Sequence, residues 1–130
     1  MAETKTGTQS TRPRGTFSCG LAQDSQGRKD QPLCRGLLDY FPDALAEVSE
    51  LSRLGNEKHN PGVPLHWARA KSGDEADCIV RHLIERGGLI EGEYSKPVRH
   101  SAALAWRALA LLQKEIEADR GDGKISRGSK

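Results

Sequence analysis

The stretch GNEKHNPGVPLHWARAKSGDEAD, residues 55–77, holds most of the side chains that could do chemistry. It gathers His, Asn, Trp, Lys and carboxylates between two segments whose apolar spacing predicts amphipathic helices. Loops that combine such residue types commonly carry function. This segment is therefore the first candidate for a functional site.

Acidic pairs stand at both ends of this stretch. Glu47 and Glu50 precede it, and Asp74 and Asp77 lie at its end, each pair at i, i+3. That spacing places both carboxylates of a pair on one helix face. If the two faces met, the four charges would repel one another unless a hard divalent cation lay among them. The pattern predicts a Mg²⁺ site, with Mn²⁺ as a substitute, whose ligands are all four acids.

The residues between the pairs have both functional and structural interpretations. Lys71 precedes Ser72, a predicted helix N-terminus, where free N–H groups favour a phosphate. Trp67 is either a core residue or a platform for a nucleobase. His59 and Asn60 lie in HNPG, which is a strong turn signal whatever the function. His82 and His100 are predicted to be structural histidines with hydrogen-bond partners.

Composition predicts one domain of residues 31–119 between two polar tails, residues 1–30 and 120–130. Residues 31–119 carry 11 Lys and Arg against 14 Asp and Glu, so the basic character lies in the tails. A slightly acidic core argues against specific nucleic-acid binding, which normally requires a basic face. No apolar run long enough for a membrane span and no secretory signal is visible, which predicts a cytoplasmic protein.

Three helices organise the predicted core. The first starts between Asp39 and Pro42 and ends at Gly55. The second starts at Ser72, which forms a capping box with Glu75, and runs to Arg86; its apolar positions are Ala76, Ile79, Val80 and Leu83. No alternating strand pattern competes, so the predicted fold class is all-α.

The third helix starts near Pro97 and is apolar on nearly every face. Between Ala102 and Leu112 only Arg107 is charged. Such a helix must be central or lie in an oligomer interface. Because a three-helix core this small would leave apolar surface in water, the pattern favours a helical bundle completed by a second copy, as a homodimer or homotetramer.

The ExxE motif of Glu47 and Glu50, followed by an acidic pair at the same spacing, resembles the MazG-like all-α nucleoside triphosphate pyrophosphohydrolases. Over about residues 33–115 the sequence is similar to the phage-associated dATP/dGTP diphosphohydrolase group. The similar segments are LLDYFPDALAEVSELSRLGNEKHNPGVPLHWARAKS, DCIVRHL and VRHSAALAWRALALL. That family's second motif is ExxD, whereas this chain has Asp74-x-x-Asp77. The departure leaves Glu57 and Glu75 as alternative ligands to Asp74.

The resemblance implies Mg²⁺-dependent cleavage between the α and β phosphates of a purine nucleoside triphosphate, dGTP or dATP, with release of pyrophosphate. It implies that Glu47, Glu50, Asp74 and Asp77 bind metal and that Glu47 or Glu50 acts as the base for water. Residues assigned by it to the triphosphate and the base are Lys58, His59, Asn60, Trp67, Lys71 and Arg81. The setting it implies is the cytoplasm of a phage host.

A competing interpretation makes the chain a non-catalytic helical phage accessory protein. Its dimeric partner-binding surface would then be the apolar third helix. The acids would decorate the surface, and the loop residues His59, Asn60 and Trp67 would only support the fold.

Overall fold

The computed structural model describes residues 20–121, which fall into two compact units divided between Tyr40 and Phe41. Most of the described chain is helical, which confirms the predicted all-α class in outline. Residues 1–19 and 122–130, the greater part of the predicted tails, lie outside the described residues. Within residues 20–121 no helix is long and apolar enough to cross a membrane.

The first unit contains a short helix, α1 (Ser25–Lys29), and a π-helical turn, Cys34–Leu38. Asp24 caps α1, since its carboxylate accepts a hydrogen bond of 2.9 Å from the backbone N–H of Gly27. A segment predicted to be a tail from its composition therefore contains a capped helical turn.

Helix α2 (Pro42–His59) opens the second unit, with Pro42 in the first turn as predicted. It continues through Gly55, where the prediction ended it, for four more residues. The backbone N–H of Asn60 still donates to the carbonyl of Asn56 at 2.8 Å. Pro61 disfavours a helical conformation at the residue before it, so the helix ends there instead.

Helix α3 (Glu75–Ile84) begins three residues later than predicted, and the capping box does not form. The Ser72 hydroxyl donates to the Asp74 carboxylate at 2.9 Å and accepts from Arg107 at 2.9 Å. Glu75 is bound by Lys114 from α4. Tertiary partners have replaced the local cap, which explains why a local motif misplaced this boundary.

A strand pair precedes the last helix, α4 (His100–Asp119). Strands β1 (Leu89–Ile90) and β2 (Val98–Arg99) run antiparallel, with Ile90 opposite Val98 and both of these side chains buried. This pairing explains why α4 starts at His100 and not near Pro97. Two-residue strands are too short to show an alternating pattern, so the prediction missed them.

Helix α4 packs against α2, α3 and β2. Three of its alanines, Ala102, Ala103 and Ala110, are buried, and the core joins the first two to residues of α2 and the strand pair: Leu51, Leu54, Ile90 and Val98. Small side chains let the helices approach closely, whereas the larger apolar side chains Leu109, Leu112 and Ile116 remain exposed. In the single chain, α4 buries an alanine face and leaves a leucine face uncovered.

The buried face of α3 differs from the prediction. Glu75 and Cys78 are buried and His82 is half-buried, at the i, i+3, i+7 spacing of one helix face. The predicted apolar residues Val80 and Leu83 are about half exposed, at 53% and 48%. Glu75 and His82 are instead turned toward α4, where they bond Lys114 and His100. Cys78 is buried, and burial raises the pKa of its thiol.

Candidate functional site

A cavity of about 520 Å³ opens between α2, the loop of residues 60–74, α3 and α4. Its wall combines aromatic rings, cationic side chains, amides and one carboxylate. The side chains that give it this character are His59, Asn60, His66, Trp67, Lys71, Glu75, Tyr94, Trp106 and Arg107. Cavities of this size hold ligands the size of a nucleotide.

Four of the six predicted substrate-binding residues line this cavity: His59, Asn60, Trp67 and Lys71. The loop is fixed locally, because the Asn56 side chain donates to the carbonyl of Val63 at 2.7 Å. The turn at Asn60 is closed by a hydrogen bond from the Val63 N–H to the Asn60 carbonyl at 3.1 Å. The turn signal in the sequence therefore positions part of the cavity wall.

The other two predicted contacts, Lys58 and Arg81, do not line the cavity. The Lys58 ammonium lies 3.6 Å from the Glu93 carboxylate and 5.1 Å from the centre of the Tyr94 ring. Arg81 donates to the Cys78 sulfur at 3.0 Å and lies 3.8 Å from the Asp74 carboxylate. Both side chains therefore contact other residues and do not face the cavity.

Trp67 is held between several partners. The Arg69 guanidinium lies 4.1 Å from the ring centre, and the Trp106 ring meets it edge to face at 5.8 Å. Arg69 is itself anchored on α4, where it donates to Glu117 at 2.8 Å and 3.2 Å. These contacts fix the orientation of a ring that is half-buried and still lines the cavity.

The cavity region brings together Glu75, which the sequence offered only as a capping residue or an alternative metal ligand, with two residues to which it assigned no role, Arg107 and Lys114. Glu75 and Arg107 line the cavity. Lys114 is buried behind it and donates to the Glu75 carboxylate at 2.9 Å. The single charge in the apolar stretch of α4 was a usable signal for Arg107, because a lone buried charge normally has a partner.

The charges around the cavity are predominantly positive. Lys71 and Arg107 line it against one carboxylate, Glu75, which is already neutralised by Lys114. Partial burial lowers the pKa of His59, and the cations Lys58, Lys71 and Arg107 lower it further, against an opposing effect of Glu93. An anionic ligand would match the remaining positive charge.

The predicted catalytic and metal-binding glutamates, Glu47 and Glu50, face the strand pair and its connection. Arg99 donates to Glu47 at 3.1 Å, and Lys96 donates to Glu50 at 3.2 Å. Arg53 lies 3.4 Å from the Glu50 carboxylate. Neither glutamate lines the cavity, although Glu50 directly precedes Leu51, which does.

The predicted second acidic pair lies at the start of α3. Asp74 accepts from Ser72, and this hydrogen bond is the largest cause that lowers the pKa of its carboxyl. Asp77 is exposed. Within residues 20–121, no three His, Cys, Asp or Glu side chains are grouped closely enough to hold a metal ion. The structure of the single chain therefore does not bring the two acidic pairs together.

The alternative ligands to Asp74, which are Glu57 and Glu75, do not join a metal site in the single chain either. Glu57 accepts from Arg53 at 2.7 Å on the exposed side of α2. Glu75 lines the cavity, but Lys114 occupies its carboxylate.

Comparison with protein-family models, with curated proteins and with solved structures finds no match to this chain.

Proposed function

We propose that the protein is a Mg²⁺-dependent nucleoside triphosphate pyrophosphohydrolase that binds its nucleotide in the 520 Å³ cavity. The observation that supports it most is the combination, on one wall, of aromatic rings with cationic side chains. A nucleotide has the same two parts, a flat aromatic base and a chain of phosphates. The resemblance of the sequence to MazG-like enzymes supplies the reaction and the preference for dGTP or dATP.

The proposed binding mode follows the chemistry of the wall. Lys71 and Arg107 bind the phosphates, since a lysine acts as a point charge and a guanidinium binds two phosphate oxygens at once. Trp67 stacks on the base, and Asn60 donates to or accepts from its edge. Arg107 donates a hydrogen bond to the Ser72 hydroxyl, which holds its guanidinium at the cavity for contact with phosphate.

Mg²⁺ in nucleotide sites often takes one or two protein carboxylates, and substrate phosphates and waters complete its coordination. Glu47 and Glu50, at i, i+3 on α2, offer such a partial ligand set, but neither lines the cavity, so the phosphates of a bound nucleotide would have to extend beyond the lining residues to reach them. Glu50 is paired with Lys96 and Glu47 with Arg99, and all of these side chains are partly exposed. Exposed ion pairs contribute only about 0–1 kcal/mol to stability, so a metal ion could replace the two cations. A site of three or four carboxylates does not fit the single chain.

In the proposed mechanism, bound Mg²⁺ would neutralise charge on the phosphates and lower the pKa of the attacking water. Glu47 and Glu50 would hold it, and one of these two glutamates would accept the proton of the water. Water adds to the α-phosphorus, the bond to the bridging oxygen breaks, and pyrophosphate leaves. Lys71 and Arg107 stabilise the charge that develops on the leaving group. Asp74 and Asp77 would join the site only across a contact between copies.

A homodimer or homotetramer is part of the proposal. Leu109, Leu112 and Ile116 form an i, i+3, i+7 row on α4 whose members are 41% to 51% exposed. Apolar rows of this kind typically mark an interface. The same row supports the second candidate function, a non-catalytic accessory protein that acts through a dimeric partner-binding surface.

The decisive experiment measures pyrophosphate release from a panel of ribo- and deoxynucleoside triphosphates with Mg²⁺ and after chelation. The proposal expects release from dGTP or dATP that stops when Mg²⁺ is removed. No release from any nucleotide by the folded protein would refute the enzymatic proposal. Nucleotide binding without release would make the chain a nucleotide-binding module.

A matched pair of variants at Gly55 tests where the nucleotide binds. Gly55 lies in α2 on the cavity wall, and an added Cβ meets nothing within 4 Å. Gly55→Ala should therefore fold at least as stably and retain binding, because alanine favours a helix by roughly 1 kcal/mol. Gly55→Leu should fold as well but reduce nucleotide binding, since its side chain occupies the cavity. Equal binding by both variants would move the site elsewhere.

A further inference from the structure

Two histidines that the proposed mechanism does not use meet between α3 and α4. The Nδ1 atoms of His82 and His100 lie 3.0 Å apart, which is a hydrogen-bond distance, and both side chains are half-buried. His82 lies on the buried face of α3, and His100 is the first residue of α4. The backbone N–H of His100 donates to the carbonyl of Gly88 at 3.1 Å, which fixes its position.

The relative position of the rings indicates the kind of contact. The ring centres are 5.2 Å apart. This is close to the largest separation that two imidazole rings can have when their Nδ1 atoms are 3.0 Å apart. The two nitrogens therefore point almost directly at each other. A metal ion shared by both rings would require their lone pairs to converge on a third point. The geometry is that of an N–H···N hydrogen bond.

The number of protons in this bond limits the charge that the pair can carry. When both rings are neutral, one Nδ1 carries the proton and the other accepts it. A first added proton can go to the outer nitrogen of the donor ring, and the hydrogen bond remains. A second added proton must go to the accepting Nδ1, which places two N–H groups and two positive charges against each other. The rings must then separate.

The charged groups around the pair also oppose this second proton. Burial has the largest effect in lowering the pKa of His82, followed by His100, then Arg107 from α4 and Arg81 from α3. Glu93, from the connection between the strands, is the opposing charge and raises it. Cations thus approach His82 from both packed helices.

We propose that His82 and His100 form a proton-sharing pair that makes the contact between α3 and α4 sensitive to acid. Because the folded pKa of His82 lies below that of an unfolded histidine, about 6.5, the unfolded chain binds more protons in acid. The stability that the pair contributes is present above about pH 6.5 and is lost as the pH falls below it. The same contact holds Glu75 of α3 against α4, so acid would loosen a wall of the cavity.

The direct test is an NMR titration of the four imidazoles in the full chain, assigned through correlations of each ring with its own backbone. Strong coupling predicts that His82 and His100 titrate in two steps separated by more than about one pH unit. Two independent titrations in the ordinary histidine range would overturn the proposal. The titration uses the unmodified protein, so it does not depend on any variant being able to fold.

A second measurement compares the fall in melting temperature between pH 7 and pH 5. His82→Gln should reduce this fall, although not abolish it, because His59 also has a lowered pKa and contributes with the same sign. His66→Gln is the matched control, since His66 is exposed and its Nδ1 lies 3.3 Å from the carbonyl of the nearby Pro64. It should leave the fall unchanged. An equal fall in the wild type and His82→Gln would contradict the proposal, whatever the outcome for nucleotide hydrolysis.

Discussion

The buried ion pair between Glu75 and Lys114 provides the strongest test of how α3 is held on α4. Lys114 is 8% exposed, and its ammonium donates to the Glu75 carboxylate at 2.9 Å and to the Ser72 carbonyl at 2.6 Å. Lys114→Met keeps most of the side-chain length and removes the charge. Glu75, 4% exposed, then retains only Arg107, whose guanidinium lies 3.9 Å away.

The expected loss follows from this geometry. Breaking one partner of a buried ion pair costs about 3–5 kcal/mol, because the remaining charge is left in a poorly solvated position. Arg107 compensates in part, so we expect the lower end, about 3 kcal/mol. In a unit of this size, that loss lowers the melting temperature by roughly 12–24 °C.

The assay is urea unfolding at pH 7, with a double-mutant cycle. Adding Glu75→Gln to Lys114→Met should recover part of the lost stability, since no unpaired carboxylate remains. Glu57→Gln is the control: its carboxylate is 51% exposed and paired to Arg53 at 2.7 Å, so its loss should change stability by less than about 0.5 kcal/mol.

Two results would refute the reasoning. If Lys114→Met unfolds no more easily than Glu57→Gln, the pair does not hold α3 on α4. If Glu75→Gln lowers the stability of Lys114→Met by as much as it lowers that of the wild type, the two residues act independently and are not a pair.

Three further predictions concern the site and the assembly. Glu50→Gln should fold normally and lose Mg²⁺-dependent pyrophosphate release, because it removes an anionic ligand at constant shape; unchanged release would contradict its assignment. Trp67→Ala should lower the free energy of unfolding by about 1–3 kcal/mol, since it removes the contacts to Arg69 and Trp106, and titration with dGTP and dCTP should show a base-selective loss of binding. Leu109→Glu, at a side chain 51% exposed in the single chain, should leave the fold intact and dissociate an oligomer; light scattering that finds the same mass as the wild type would argue against this interface.

The sequence by itself determined the helical class and part of the cavity loop, because both depend on local interactions. The start of α2 at Pro42 follows from the fixed φ of proline in a first turn. The turn from Asn60 to Val63 follows from the Asn-Pro-Gly sequence, with Gly62 at φ 82°. These signals predicted the turn next to His59 and Asn60, and the structure shows that both residues line the cavity.

Only the tertiary structure decided which face of α3 is buried. The apolar pattern pointed to Val80 and Leu83, but the structure turns Glu75 and His82 inward, toward Lys114 and His100 of α4. Such partners lie 39 and 18 residues apart in the chain, and no helical periodicity encodes them. A polar group satisfied by a distant partner can replace an apolar one in an interface.

The same limit applies to the predicted metal site. The i, i+3 spacing fixes each acidic pair on a helix face, but it does not fix how far apart the two faces lie. In the tertiary structure Glu47 accepts hydrogen bonds from Arg99, Glu50 accepts them from Lys96, and Asp74 accepts one from Ser72. Spacing along one helix is a local property, whereas the convergence of two helices depends on the packing of everything between them.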